Sequence, residues 1–442
     1  MERYARQQAI AGWDQERLRR ASLAVAGHGP TAFLSALMAS AMGFGRVSLV
    51  GEPAGPAVRE SGLRGLIAGP VSRWAVLCRR VNPDVEVTAH PVPPGPKSLE
   101  RLSGIDVLLV ASCPAPADEA CTQWAKDAGV VALAGGTAGP VAFWGAPRPD
   151  ALPAALRGRG EMPLVAQLVA GLLVEEARRA VMPLTGEPAG PPAHHLLALP
   201  LLPGSPAAGR PRPLGADRDC LEVIGAGALG TWFGVALGLS GFAGQLRLFD
   251  PDTVDTTNLN RQILFFGSVG RYKAPVLAAR LRRLFPGLRA NGYGLRLDDE
   301  VSDLLGDGLL VACPDSFGAR AFADRLARRR RRPLISGGTS AHGGSCLTYA
   351  PGRTPCLRCV MDIERLAERE AEPQACARVA EASVVTANAI TGALMAWAAQ
   401  ELRHGRVRAG VWTYDGRAGS RKLGVHSVRP ACRCHLAARG AA

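Results

Sequence analysis

One stretch of this 442-residue chain is written twice. Residues 23 to 51 read LAVAGHGPTAFLSALMASAMGFGRVSLVG, and residues 221 to 250 read LEVIGAGALGTWFGVALGLSGFAGQLRLFD. Each is an apolar strand, a glycine-rich turn, an Ala/Leu-rich helix ending in glycine, and a second apolar strand, which makes a βαβ unit. The register then holds: VLLVASCPAPADEA (107 to 120) aligns with GLLVACPDSFGARA (308 to 321), and each precedes a helix and a strand ending in Gly-Gly-Thr. The offset is 198 at Gly27 and Gly225, 199 at Gly51 and Asp250, and 200 at Cys113 and Cys313. A repeat of that length predicts an α/β chain of two tandem Rossmann-like domains. They are placed at 1–184 and 219–442, with the Pro/Gly-rich stretch 185–218 as the linker.

The copies are unequal. The second carries G-x-G-x-x-G in Gly225, Gly227 and Gly230; the first has Gly27 and Gly29, then Pro30 and Ala32. Asp250 and Asp315 of the second stand where the first has Gly51 and Ala115. The chemistry is therefore expected in the second copy, with the first as a degenerate partner.

A glycine turn between a strand and a helix brings backbone N–H groups and a helix N-terminus to a phosphate-bearing ligand. Asp250, twenty residues after Gly230, stands where a carboxylate takes a ribose hydroxyl. Alone, this reads equally as an NAD fold. The next residues change the reading: Asp252, Asn258, Arg261 and Gln262 follow in DPDTVDTTNLNRQ, Lys273 in GRYKAP, and Asp315 ends a later strand. Breaking ATP at its α-phosphate needs cations on the triphosphate and a carboxylate for Mg²⁺. Arg261 and Lys273 supply the first, and Asp315 the second.

These motifs, with GAGALG upstream and GRYKAP downstream, resemble the E1-like superfamily of ubiquitin-activating enzymes, ThiF and MoeB proteins. The resemblance covers 221–434 well and 1–184 in degenerate form. It implies two E1/ThiF-type domains packed as a pseudo-dimer, with Asp250 on the ribose. Asn258, Arg261, Gln262 and Lys273 would then lie on the ATP phosphates, and Asp315 on Mg²⁺. RYARQQAI near the start resembles the family's opening motif, in which an arginine reaches the partner's ATP; here that is Arg6, acting in cis on the second half.

Eleven cysteines in a chain without an export signal argue against a disulfide framework. Cys356 and Cys359 form one close pair and Cys432 and Cys434 another, 73 residues on, a set suited to a structural Zn²⁺ site. Relatives carry C-x-x-C in both arms, so the C-x-C here leaves His435 open as a substitute ligand. Cys376, near the start of a long apolar helix and two residues from Arg378, reads as a candidate thiolate nucleophile or a small structural residue. It matches the cysteine that ends the crossover loop in the family.

The net charge of +14 follows from an Ala/Gly/Arg/Pro-rich composition. Arg328 to Arg332 reads as the basic end of a helix, not a nucleic-acid site. No apolar run is long enough for a membrane span and no signal peptide is evident, so a cytoplasmic protein is expected. The resemblance implies an enzyme that adenylates a ubiquitin-like protein with Mg-ATP, forms a thioester on Cys376 and passes it to an E2-like protein. Its alternative is ThiF/MoeB-like adenylation of a sulfur carrier or a peptide. The fused, minimal architecture suggests a bacterial E1 of a Bil-type, anti-phage conjugation operon, monomeric through its internal pseudo-dimer or else a homodimer.

Overall fold

The computed structural model describes residues 2–52, 62–111, 115–147, 161–187, 195–198, 217–372, 382–407, 410–417, 423–426 and 434. The first repeat builds β1 (Ser22–Gly27), β2 (Arg46–Val50), β3 (Glu86–His90), β4 (Val107–Ala111), β5 (Val131–Ala138), β6 (Val141–Gly145) and β7 (His195–Ala198). The second builds β8 (Asp217–Ile224), β9 (Gln245–Phe249), β10 (Arg289–Tyr293), β11 (Gly308–Ala312), β12 (Leu334–Thr339), β13 (Gly343–Tyr349), β14 (Val411–Asp415) and β15 (Leu423–His426). Central strands such as VLLVA in β4 and GLLVA in β11 are buried at every position, as continuous apolar runs in parallel sheets are.

The two sheets have one topology. The first runs β3-β2-β1-β4-β5-β6-β7 and the second β10-β9-β8-β11-β12-β13-β14-β15. Five parallel strands in the order 3-2-1-4-5 lead each, and antiparallel strands close it. The chain is thus α/β with two parallel-dominated sheets. β7 lies inside the stretch 185–218 that the sequence suggests as linker, paired antiparallel with β6. Its run HLLA is short and set among prolines and glycines, which hides it in the composition.

The helices used below are α1 (Ala5–Gln8), α2 (Pro30–Met42), α3 (Pro163–Val181), α4 (Ala228–Leu239) and α5 (Lys273–Leu284). They continue with α6 (Phe317–Arg329), α7 (Leu357–Met361), α8 (Ile363–Ala371) and α9 (Val385–Arg403). α3 and α9 are buried nearly all round, because they pack on each other as well as on strands and on α4. Gly171 lets them close up: a side-chain carbon there would meet Ile390 at 2.7 Å. Gln167 of α3 donates to the carbonyls of Trp232, 3.1 Å, and Ala389, 2.9 Å, so one buried amide ties the first repeat to two helices of the second. A single apolar cluster includes Leu23 and Val25 of one sheet and Leu221 and Val223 of the other.

Most of the basic run 328–332 is engaged with acids. Arg328 pairs with Asp324 and Glu364, Arg329 with Asp299, Arg330 with Asp303, and Arg332 with the buried Glu222. α6 ends at Arg329, so these cations do cluster at a helix C-terminus.

Candidate functional site

In a sheet ordered this way, ligands settle at the carboxyl ends of the strands where the order reverses, here between β8 and β11. A cavity of about 1130 Å³ opens there. Gly225 follows β8 with φ +98°, and a side-chain carbon on it would meet the backbone of Cys313 at 2.8 Å. A side chain on Gly230 would run into the carbonyl of Gly225. Both glycines therefore hold the turn against β11, while Gly227 sits at the open N-terminus of α4 and lines the cavity.

The polar residues expected from the sequence line this same cavity: Asp250, Asp252, Asn258, Arg261, Gln262, Lys273 and Asp315. Asp250 follows β9 and is buried; its oxygens accept from the N–H of Ala226, 2.7 Å, and of Asp252, 2.9 Å. Burial raises its carboxyl above the ordinary range, against the pull of Lys273 and the two amides. Lys273 begins α5 and its Nζ pairs with Asp252 at 2.8 Å. Arg261 is buried and donates from Nη1 to the carbonyl of Thr257, 2.6 Å, and to Asn260 Oδ1, 2.9 Å. Asn258 accepts from the Asp255 N–H at 2.9 Å, a reciprocal cap on the short turn Thr256–Asn258 after β9. Asp315 is exposed in the cavity, just ahead of Ser316, the N-cap of α6.

One atom in this set points directly to a ligand. Gln262 is 3% exposed, its Nε2 faces Gly227, and its Oε1 is buried with no hydrogen-bond partner among the described residues. A buried carbonyl without a donor costs about 1–3 kcal/mol, and a bound molecule bearing hydroxyls or ordered water would recover it. Together with the open glycine turn and the adjacent cations, this donor set fits a nucleotide.

Arg6 also lines the cavity, although it belongs to the first repeat. Its carbonyl accepts from the N–H of Ser383 at 3.0 Å, and its charge helps to hold the Asp255 carboxyl below the ordinary range, after the bonds from Thr257. Cys376 lies outside the described residues. α9 starts at Val385, nine residues later in the chain. Ala382 and Ser383, on the far side of that segment, line the cavity.

Three of the four expected metal ligands converge. The sulfur of Cys434 lies 3.8 Å from that of Cys356 and 3.6 Å from that of Cys359. A tetrahedron with Zn–S bonds of about 2.3 Å has edges of about 3.8 Å, so the thiols fit a zinc site. Cys432 and His435 lie outside the described residues. The arm is fixed by Asp324, fully buried, which accepts from the N–H of Leu357 at 2.9 Å. Cys78, Cys121, Cys220, Cys313 and Cys346 are buried as well. Burial pushes the thiol of Cys346 up to about 12, with Arg320 opposing.

A family model described as the ThiF family matches residues 219–434. The second repeat is a ThiF domain. That places this repeat in the E1-like superfamily its motifs resemble. It is 34% identical over 154 residues to a NEDD8-activating enzyme E1 catalytic subunit of Arabidopsis thaliana, covering 31% of this chain and 34% of that one. It is 32% identical over 145 residues to a sulfur carrier protein ThiS adenylyltransferase of Bacillus subtilis, covering 32% and 43%. With the adenylyltransferase and sulfurtransferase MOCS3 of Mus musculus it shares 30% identity over 222 residues, 48% and 46% of the two chains. The match thus spans about a third to a half of these curated relatives. Among solved structures, E. coli MccB with AMPCPP and MccA aligns at TM-score 0.40 and 21% identity, over 50% of this chain and 65% of that one.

Several residues of the ThiF domain cavity carried no signal in the sequence. Arg320, His342, Asn388, Tyr414 and Arg417 line it too. They come from α6, the β12–β13 turn, α9 and the end of β14, elements that meet only in the folded sheet. Arg320 could have been noticed as the residue one turn into the helix that follows Asp315.

Proposed function

We propose that the chain is an E1-type adenylating enzyme that activates the C-terminal carboxylate of a ubiquitin-like or sulfur-carrier protein with ATP. One observation carries this reading: a single cavity gathers the glycine turn, Asp250, Arg261, Lys273 and Asp315 of the ThiF domain, and Arg6 of the first repeat. A carboxylate oxygen of the substrate attacks the α-phosphorus, the bond to the bridging oxygen breaks, and pyrophosphate leaves with the electron pair. Asp250 holds the ribose, while Asn258, Arg261, Gln262 and Lys273, with Asp252 beside them, hold the phosphates. Asp315 would hold Mg²⁺, which supplies positive charge to the leaving pyrophosphate. Arg6 adds a guanidinium from the first repeat, the inactive half of an internal pseudo-dimer.

In the second half-reaction the thiolate of Cys376 attacks the acyl carbon, AMP leaves, and a thioester results that an E2-like cysteine can accept. Cys356, Cys359, Cys432 and Cys434 would hold a structural Zn²⁺. The names of the ThiS adenylyltransferase and MOCS3 relatives support a second reading, adenylation followed by sulfur transfer. Among the described residues no helix is long and apolar enough to cross a membrane.

Exchange of radiolabelled pyrophosphate into ATP, run with candidate carrier proteins, tests the first step. Asp315→Ala should lower it about 1000-fold, the scale of losing several kcal/mol of charge stabilisation. Exchange at the wild-type rate in that variant contradicts the assignment.

A further inference from the structure

Among the described residues, Arg320 is a cation without an acid. It is 6% exposed, on α6, and lines the ThiF domain cavity. Its Nε donates to Ser336 Oγ at 3.3 Å and its Nη2 approaches the Met361 sulfur at 3.8 Å, both neutral and both long. The Phe317 ring centroid lies 5.9 Å away, at the edge of cation–π range, and a ring contact of this kind does not neutralise a buried guanidinium. Burying a guanidinium with no carboxylate near it is costly, and such groups normally meet an anion. Gly338 makes the room: a side-chain carbon there would lie 2.7 Å from Nη1.

The anion is narrowed by position. Arg261 and Lys273 already serve the phosphate side, on the loop after β9 and at the start of α5. Arg320 stands on the other wall, between α6 and β12, and the cavity of about 1130 Å³ exceeds the roughly 300–1,000 Å³ of a usual small-ligand site. It has room for a second reactant beside the nucleotide. Gly338, Gly343 and Gly344, at the turn between the antiparallel β12 and β13, line that wall.

We propose that Arg320 receives the terminal carboxylate of the acyl substrate and holds it against the α-phosphate. This rests on the adenylation reading above. Two anions must meet for that reaction, and a guanidinium on the carboxylate removes their repulsion. One carboxylate oxygen attacks phosphorus; the other keeps its bond from Arg320 and becomes the carbonyl oxygen of the acyl-adenylate, as pyrophosphate departs.

The test compares AMP with 5′-O-(N-glycylsulfamoyl)adenosine, a stable mimic of an acyl-adenylate, by calorimetry on the full chain. Wild type should bind the mimic at least 10-fold more tightly than AMP. Arg320→Met should lose that advantage while binding AMP as before. If Arg320→Met does not fold, Arg320→Gln, which can keep the Ser336 bond, is judged in the same way. An advantage that survives in the folded variant, or AMP and mimic weakening together, overturns the proposal. So does a wild type that binds AMP but does not prefer the mimic, or a protein that folds in neither variant. A wild type that binds neither nucleotide overturns the adenylation reading itself, and this one with it.

Discussion

Gln262 shows how a residue tuned for a ligand burdens the ligand-free protein. Among the described residues its buried carbonyl oxygen has no donor, a cost of about 1–3 kcal/mol. Gln262→Met keeps the shape and removes that oxygen, so its melting temperature without nucleotide should equal or exceed wild type. Its KM for ATP should rise 10-fold or more. A lower melting temperature with unchanged KM would mean that the amide serves the fold and not the nucleotide. Cys376 gives the complementary experiment, because adenylation needs only the cavity. Cys376→Ala should still exchange pyrophosphate into ATP, yet form no reducible adduct with its carrier protein on non-reducing electrophoresis. Cys346 is no substitute: it is 1% exposed in β13 and its thiol is pushed up to about 12, so Cys346→Ala should leave any adduct intact. A reducible adduct surviving in Cys376→Ala would move the nucleophile elsewhere.

Elements decided which parts of the site could be read in advance. The residues from Asp250 to Lys273 were legible because they follow one strand in one loop and the start of one helix, so local order already placed them together. Arg320 was not. A lone arginine one turn into a helix reads as solvated, and its burial depends on the missing side chain of Gly338, in a strand reached only through tertiary packing. β7 was hidden for another reason: four residues cannot outweigh the prolines and glycines around them. The convergence of Cys356, Cys359 and Cys434 was legible by spacing, and α6 explains how the first pair is held. Asp324 binds the Leu357 N–H and Arg328 together, clamping the start of α7 to α6. Purified protein should therefore contain about one Zn per chain. Chelation should lower the melting temperature before it weakens nucleotide binding, since the thiols sit on α7 and near the chain end, apart from the cavity lining. Metal-free protein of equal stability would rule this out.

Across the whole molecule, the repeat announces two similar sheets but not how they join. Beside the apolar packing of α3 on α9, the joining contacts include single polar residues, such as Gln167 in an apolar helix and Gln7 in the short α1, and no periodicity marks them. The most consequential runs from α1 to the site. Gln7 is fully buried; its Nε2 donates to Gln15 at 2.5 Å and to the Met42 carbonyl at 2.8 Å, while its Oε1 accepts from Asn260 at 2.9 Å. Asn260 in turn accepts from Arg261 at 2.9 Å, so one amide of the first repeat sets the position of a cation in the ThiF domain. Arg6 is the residue just before Gln7 in α1, which makes this the natural path by which the first repeat acts on the site. Each of Gln7→Met and Asn260→Leu strands a buried partner and should cost about 1–3 kcal/mol in urea unfolding. Residues in direct contact couple by about 0.5–3 kcal/mol in a double-mutant cycle. Coupling of that size is expected both in stability and in the rate of pyrophosphate exchange measured well below the melting temperature. If the two changes add without coupling in stability, the halves only lie side by side. If they couple in stability but not in exchange, the contact joins the repeats without positioning Arg261.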